Sequence, residues 1–244
     1  MAEIQVRGLT KTFGKAAAVR GLTFAAPAGQ VTGFLGPNGS GKTTTLRMIL
    51  GLVRPTTGTA LIDGMIYRDL PKPRAVVGAV LESTGFHPGR RAADHLRVIA
   101  TANRVRNRRV DEVLDAVGLA DAAGRRVGKF SLGMRQRLGL AAALLTDPQV
   151  LLLDEPANGL DPAGIAWLRA MLRGLAAEGR TILVASHVLG EVTQTVDTVV
   201  IVSAGQLRFA GPLDEIGRTG AELESAFLKL TADPGRHSVV AYPQ

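Results

Sequence analysis

The 244-residue chain contains no cysteine. That absence excludes disulfides, thiolate zinc sites, redox-active thiols and a cysteine nucleophile together. Histidine is nearly as scarce: His87, His95, His187 and His237 lie too far apart for a local metal motif such as H-E-x-x-H. No apolar run approaches the roughly 18 residues that a membrane-spanning helix needs. The best stretches, Leu138–Leu145 and Val150–Leu153, are far shorter. Met1–Gln5 has neither the basic start nor the apolar stretch of a signal peptide, so a cytosolic chain is expected.

What is present is enough to build a core. Apolar residues make up 46% and charged residues 20%, which places the chain among folded proteins rather than disordered ones. At roughly 150 residues per domain, the length suits one large domain or two small ones. Lys and Arg outnumber Asp and Glu by 29 to 21, a net charge of +8. Such a balance fits nucleic acid, an anionic membrane face, a phosphorylated ligand or a plainly solvated basic surface. Composition does not choose among them.

Short β-type runs alternate with helical patterns. Ile4–Val6, Gly21–Ala25, Val31–Leu35, Thr59–Ile62 and Val76–Leu81 read as strands, with a turn-rich stretch around Gly14. Leu46, Ile49, Leu50 and Val53 fall on one helix face, and Gly51 and Pro55 end it. From about Asp94 to Thr146 strand-like runs disappear and three helical stretches follow one another, a helical insertion. Strands return at Val150–Leu153, Thr181–Ala185 and Thr198–Val202, with Ile165, Leu168, Leu172 and Leu175 lining a helix between the first two. Gln206–Phe209 closes a hairpin, Leu213–Leu230 reads as helical and the last ten residues as loose. Alternating strands and helices imply an α/β fold with a mostly parallel sheet covered by helices.

Two segments carry chemistry. The strand Val31–Leu35 runs into Gly36-Pro37-Asn38-Gly39-Ser40-Gly41-Lys42-Thr43 and then a helix, the G-x-x-x-x-G-K-[ST] loop in the context it requires. Glycines let the backbone curl so that N–H groups point inward as an anion nest, and the helix start adds free N–H groups and its positive dipole end. Lys42 can reach β- and γ-phosphates, Thr43 can ligate Mg²⁺, and Thr44 can hydrogen-bond a phosphate oxygen. The second segment is Asp154-Glu155 at the end of the continuously apolar Val150–Leu153. Carboxylates at a strand's C-terminal end project into the crevice where α/β sheets bind ligands. Asp154 suits a Mg²⁺ ligand, and Glu155 a general base for an attacking water. In Asn158-Gly159-Leu160-Asp161-Pro162 a helix cap explains Asp161 by itself.

With these residues the chain resembles the nucleotide-binding subunit of an ATP-binding-cassette (ABC) transporter over about Ile4 to Leu230. Phe130-Ser131-Leu132-Gly133-Met134 stands where that family has its Leu-Ser-Gly-Gly-Gln signature. The resemblance assigns Ser131 and Gly133 to the γ-phosphate of ATP held by a second cassette. It assigns His187, after the strand Thr181–Ala185, to the γ-phosphate as a switch histidine, and Asp161 to the nucleotide site. Phe13 matches the aromatic that stacks on adenine, with edge-strand packing as the alternative. The implied fold is a P-loop NTPase core with an N-terminal antiparallel β part and a helical subdomain at about residues 84–147. These make up one domain, residues 1–230, followed by a tail at 231–244. The implied activity is ATP hydrolysis with Mg²⁺ as cofactor. The implied partners are a membrane permease and a second cassette, most simply an identical chain, with no direct nucleic acid. The place is the inner face of the cell membrane.

Three residues depart from the common family pattern. Leu132 replaces a signature glycine, Met134 the glutamine, and Glu82 a glutamine near Mg²⁺ and the attacking water. All three resemble the daunorubicin- and bacitracin-type drug-exporter branch. An importer subunit shares the same core. A soluble ABC ATPase on ribosomes or DNA usually joins two cassettes or carries a long coiled coil, which this chain lacks, and a P-loop kinase or GTPase would not need Glu155, Ser131, Gly133 and His187 together. Because Glu82 adds a carboxylate beside the metal, Glu82→Gln is expected to retain ATP turnover and to change its Mg²⁺ dependence in a magnesium titration; complete loss of ATP binding would contradict this placement.

Overall fold

The structure is a computed structural model that describes residues 2–81, 85–217 and 219–232. Glu82 and the tail expected to be loose lie outside the described residues, apart from Thr231 and Ala232. In chain order the elements are β1 (Ile4–Phe13), β2 (Ala16–Ala26), β3 (Val31–Leu35), α1 (Lys42–Ile49), β4 (Thr57–Ile62), α2 (Pro73–Val76), β5 (Val77–Val80), α3 (Ala92–Ala102), α4 (Arg108–Ala116) and α5 (Leu132–Leu144). Then come β6 (Val150–Asp154), α6 (Pro162–Ala177), β7 (Thr181–Ser186), α7 (Leu189–Val192), β8 (Thr198–Ser203), β9 (Gln206–Pro212) and α8 (Gly220–Ala232).

Strands β2, β1 and β4 form an antiparallel sheet, and six more form a second sheet in the order β5-β6-β7-β3-β8-β9. The second is parallel except for β9, which returns antiparallel beside β8. The first two strands are longer than the sequence pattern indicated. Gly14 and Lys15 are a tight hairpin, with Phe13 opposite Ala16, rather than part of a turn-rich stretch. Val76 ends a helical turn instead of starting a strand, and the C-terminal helix begins only at Gly220.

Two cores lie on opposite faces of the larger sheet, and the two-residue period of a strand divides its side chains between them. In β6, Leu151 and Leu153 join the helical core of α3, α4, α5 and α6, whereas Val150 and Leu152 join the core shared with α1 and the small sheet. β8 divides likewise, Val199 and Ile201 from Val200 and Val202. This is why these strands read as unbroken apolar runs. Helix α5 closes the helical side tightly. A Cβ at Gly78 of β5 would stand 2.3 Å from the Ala143 carbonyl oxygen and 2.9 Å from Pro148 Cγ.

Gly78 is therefore a close-approach position, whereas Gly174, on α6, has nothing within 4 Å of an added Cβ. Gly78→Ala is expected to destabilise by about 1–3 kcal/mol through overpacking, and Gly174→Ala to stabilise by about 0.5–1 kcal/mol through helix propensity. Thermal melts should move in opposite directions, and equal shifts would contradict this packing.

Candidate functional site

Three adjacent parallel strands end together. Leu35, the last residue of β3, pairs with Ser186 of β7, and Asp154, the last of β6, pairs with Ala185. The segments leaving these ends meet in one cleft of about 390 Å³, lined by Ala18, Asn38–Thr44, Asp154, Glu155, Asn158 and His187.

The loop between β3 and α1 is pressed close on both sides. A Cβ at Gly36 would stand 2.4 Å from the Val202 carbonyl oxygen and from Ser40 Oγ. Gly41 has φ +101, and a Cβ there would lie 2.5 Å from the Ala18 carbonyl oxygen. Gly41 caps α1 without a side-chain hydrogen bond, leaving the first-turn N–H groups for an anion. The Ser40 hydroxyl is buried with no hydrogen-bond partner among the described residues, a second polar group in the loop available to an incoming acceptor. Lys42 is 6% exposed. Its ammonium donates to the Gly36 carbonyl at 2.6 Å and the Pro37 carbonyl at 3.3 Å, and lies 4.0 Å from Glu155 Oε1.

Strand parity places Asp154 on the same face as Val150 and Leu152, which is the α1 face. There its carboxylate accepts the Thr43 hydroxyl at 2.7 Å, and it is 2% exposed. A hydroxyl and a carboxylate are hard oxygen donors that fit Mg²⁺, which takes one or two carboxylates and leaves its remaining positions to water and phosphate. Among the described residues no cluster of three His, Cys, Asp or Glu forms, and such an ion needs none. Glu155 leaves the strand in the left-handed region, φ +49, while its N–H still bonds the Ala185 carbonyl at 2.9 Å. A non-glycine residue held there costs of order 1–3 kcal/mol. The turn brings its carboxylate to the cleft, where it accepts His187 Nδ1 at 2.8 Å. That bond fixes the ring and leaves Nε2 on the other side.

The cleft thus gathers Asn38, Gly39, Ser40, Gly41, Lys42, Thr43, Thr44, Asp154, Glu155 and His187, with the Gly36 and Pro37 carbonyls beneath Lys42. Four other expected residues lie elsewhere. Phe13, at the tip of the β1–β2 hairpin, is 52% exposed, with the Lys11 ammonium 4.9 Å from its ring centroid. Ser131 caps α5 by accepting the Met134 N–H at 3.2 Å, and Asp161 caps α6 by accepting the Gly164 N–H at 2.8 Å. Gly133 sits against Gly159, whose carbonyl oxygen would be 2.8 Å from a Cβ added there. Ala18 and Asn158 also line the cleft, although no motif marks either one. Gln136 of α5 reaches the Glu155 carbonyl at 3.5 Å.

Comparisons with known proteins agree with this architecture. A family profile described as ABC transporter matches residues 19–158. The bacitracin transport ATP-binding protein BcrA of Bacillus licheniformis is 42% identical over 87% of this chain and 71% of its own length. The lantibiotic transport ATP-binding protein SrtF of Streptococcus pyogenes is 36% identical over 84% of this chain and 88% of its own. A solved ATP-binding subunit of an ABC transporter superposes with TM-score 0.83 at 29% identity, covering 93% of this chain and 98% of the other. A nucleotide-free ATP-binding cassette, 21% identical with TM-score 0.78, shares the fold. The chain belongs to the ABC transporter family, as an ATP-binding subunit whose ATPase activity is coupled to transport.

Proposed function

We propose that this chain is the motor subunit of an exporter that expels an antibiotic or a similar amphipathic compound through a separate permease. The observation that carries the reading is the cleft itself, where Lys42, the Thr43–Asp154 pair and the Glu155–His187 pair stand at the ends of β3, β6 and β7. The exporter class is supported by the named roles of the bacitracin and lantibiotic relatives.

In this reading the loop amides and Lys42 hold the triphosphate of ATP. Two neutral carbonyls accept from the ammonium at rest, and a phosphate would give the same donor an acceptor of opposite charge. Thr43 and Asp154 hold Mg²⁺, which when bound neutralises charge on the transferring phosphoryl group. Glu155 orients the attacking water and takes its proton; His187 holds that carboxylate in place and presents Nε2 toward the γ-phosphate. Phosphoryl transfer depends mainly on such positioning and electrostatics. The Ser131 hydroxyl and the helix start at Gly133 serve a nucleotide on a second copy of the chain, and Phe13 offers its exposed ring to adenine. Two copies then close around two ATP molecules.

Among the described residues no helix is long and apolar enough to cross a membrane, so transport requires the permease. A groove of about 410 Å³ between the β5 edge and helices α3 and α5 is its proposed seat, with Leu52, Tyr67, Phe86 and His95 among its walls. His95 meets Phe86 edge-on at 4.9 Å, and burial, aided by Arg90, holds its imidazole below the ordinary pKa. Among the described residues that line the groove none is an acid, Lys or Arg. The working location is the cytoplasmic face of the membrane, where the chain is peripheral.

Glu155→Gln is expected to lower ATP turnover by about 10²–10⁴-fold, the usual worth of a positioned base, and to accumulate an ATP-bound dimer on size-exclusion chromatography. Turnover at the parental rate would refute the base assignment. Lys42→Ala is expected to lose ATP binding or hydrolysis, measured by a fluorescent ATP analogue and phosphate release; unchanged binding and hydrolysis would remove the loop from the mechanism.

A further inference from the structure

A second cleft, of about 620 Å³, shares Tyr67 with the groove just described. Its lining carries Lys72, Arg74 and Arg104, and among the described residues no carboxylate lines it. All three cations are exposed, and among the described residues none forms an ion pair; the nearby Asp69 is engaged by Arg68 at 3.6 Å. Beside the cations the lining includes the apolar Pro73, Ala75, Ala102 and Val105, with Tyr67, Asn103 and Thr146. Thr146 fastens the floor by donating to the Arg74 carbonyl at 2.6 Å.

Arg104 is held there against its own backbone preference. Helix α3 ends with the Val105 N–H on the Ala100 carbonyl at 2.8 Å and the Arg104 N–H on the Thr101 carbonyl at 3.2 Å. These are the two bonds of a Schellman closure, whose left-handed position ordinarily takes glycine or asparagine. Arginine occupies it here with φ +57. Chain termination by itself would favour the smaller residues, so the guanidinium at this point is a feature that helix geometry does not call for.

We propose that this cleft binds the phosphate-bearing headgroup of an anionic membrane lipid. Three cations in a lining that holds no carboxylate among the described residues suit a phosphate, and the apolar lining residues suit the glycerol and first methylenes that follow it. A peptide from a permease is the poorer match, because cytoplasmic loops of membrane proteins are themselves enriched in Lys and Arg. The cytoplasmic leaflet, in contrast, is negative and attracts basic surfaces. The placement beside the membrane rests on the proposed permease groove next door, which the headgroup contact would hold at the right depth.

The test uses the full chain without a permease, sedimented with vesicles of phosphatidylcholine alone or of an equal mixture of phosphatidylcholine and phosphatidylglycerol. The unaltered chain is expected to pellet with the mixed vesicles only. At about fivefold per basic residue near the surface, the combined variant Lys72→Gln, Arg74→Gln, Arg104→Gln should bind roughly 100-fold more weakly. Removing three charges elsewhere, with Arg7→Gln, Arg20→Gln and Arg126→Gln, should change binding far less. Arg104→Asn separates folding from binding: asparagine accepts the left-handed backbone, so this variant should melt no lower than the parent and still bind about fivefold more weakly. Equal loss in the two triple variants, or equal binding to both vesicles, overturns the proposal. Displacement by inorganic phosphate beyond that by sodium chloride of matched ionic strength would make this a free-phosphate site and also overturn it. Copurification with a permease tests the groove independently, so either reading can fail without the other.

Discussion

The register of three parallel strands governs where every charged group in the cleft stands. Strand β6 is apolar from Val150 to Leu153, and its two faces meet two different cores. Hydrophobic burial alone would tolerate a slip, because one leucine would replace another. Asp154 does not tolerate it. One residue of slip would turn the carboxylate from the α1 face, where it accepts Thr43, into the helical core. A buried carboxylate without a partner costs several kcal/mol. The Thr43–Asp154 hydrogen bond and the strand alignment thus reinforce each other at a single residue.

The charge arrangement is equally interdependent. Lys42 and Glu155 approach to 4.0 Å with little solvent between them, their side chains 7% and 12% exposed. Neither relies on the other alone: the ammonium has the loop carbonyls, and the carboxylate has His187. An anion that draws Lys42 toward itself therefore leaves Glu155 still hydrogen-bonded and still oriented. Such preorganisation is what electrostatic stabilisation of a phosphoryl transfer requires, because donors already in place need no reorganisation as the charge moves.

The phosphate loop and the acidic pair were legible because their chemistry is local. Glycine spacing, one lysine, a flanking strand and a flanking helix are contiguous in the chain, and so is an apolar run that ends in two carboxylates. The parallel sheet, the closing hairpin and the helical run between Asp94 and Thr146 were legible from periodicity. The full length of β2 was not: Ala16-Ala17-Ala18 has poor strand propensity, and its pairing with β1 overrides that preference. Ala18 and Asn158 gave no signal because they enter the cleft only through tertiary packing, Ala18 by lying across the loop at Gly41. Lys72, Arg74 and Arg104 likewise converge from segments thirty residues apart in sequence, and charge counting cannot distinguish convergence from a solvated surface.

Helix α5 joins the two ends of the molecule that a transport motor has to connect. Gly139 and Ala142 line the groove proposed for the permease. At the other end Leu132 packs on Gly159, where an added Cβ would lie 2.4 Å from Leu132 Cγ, and Gln136 reaches the Glu155 carbonyl. A helix of 13 residues is a rod of about 20 Å. Residues that line the groove and residues that touch the turn carrying Glu155 therefore belong to one helix. The same Leu132–Gly159 interlock ties the α5 start, with Ser131 and Gly133, to the segment between Glu155 and the Asp161 cap. In the proposed dimer those are the parts that would face the second copy, and they lie in one packed unit with the turn carrying Glu155. The bulky Leu132, in place of the usual signature glycine, supplies that contact, and the absence of a side chain at Gly159 makes room for it.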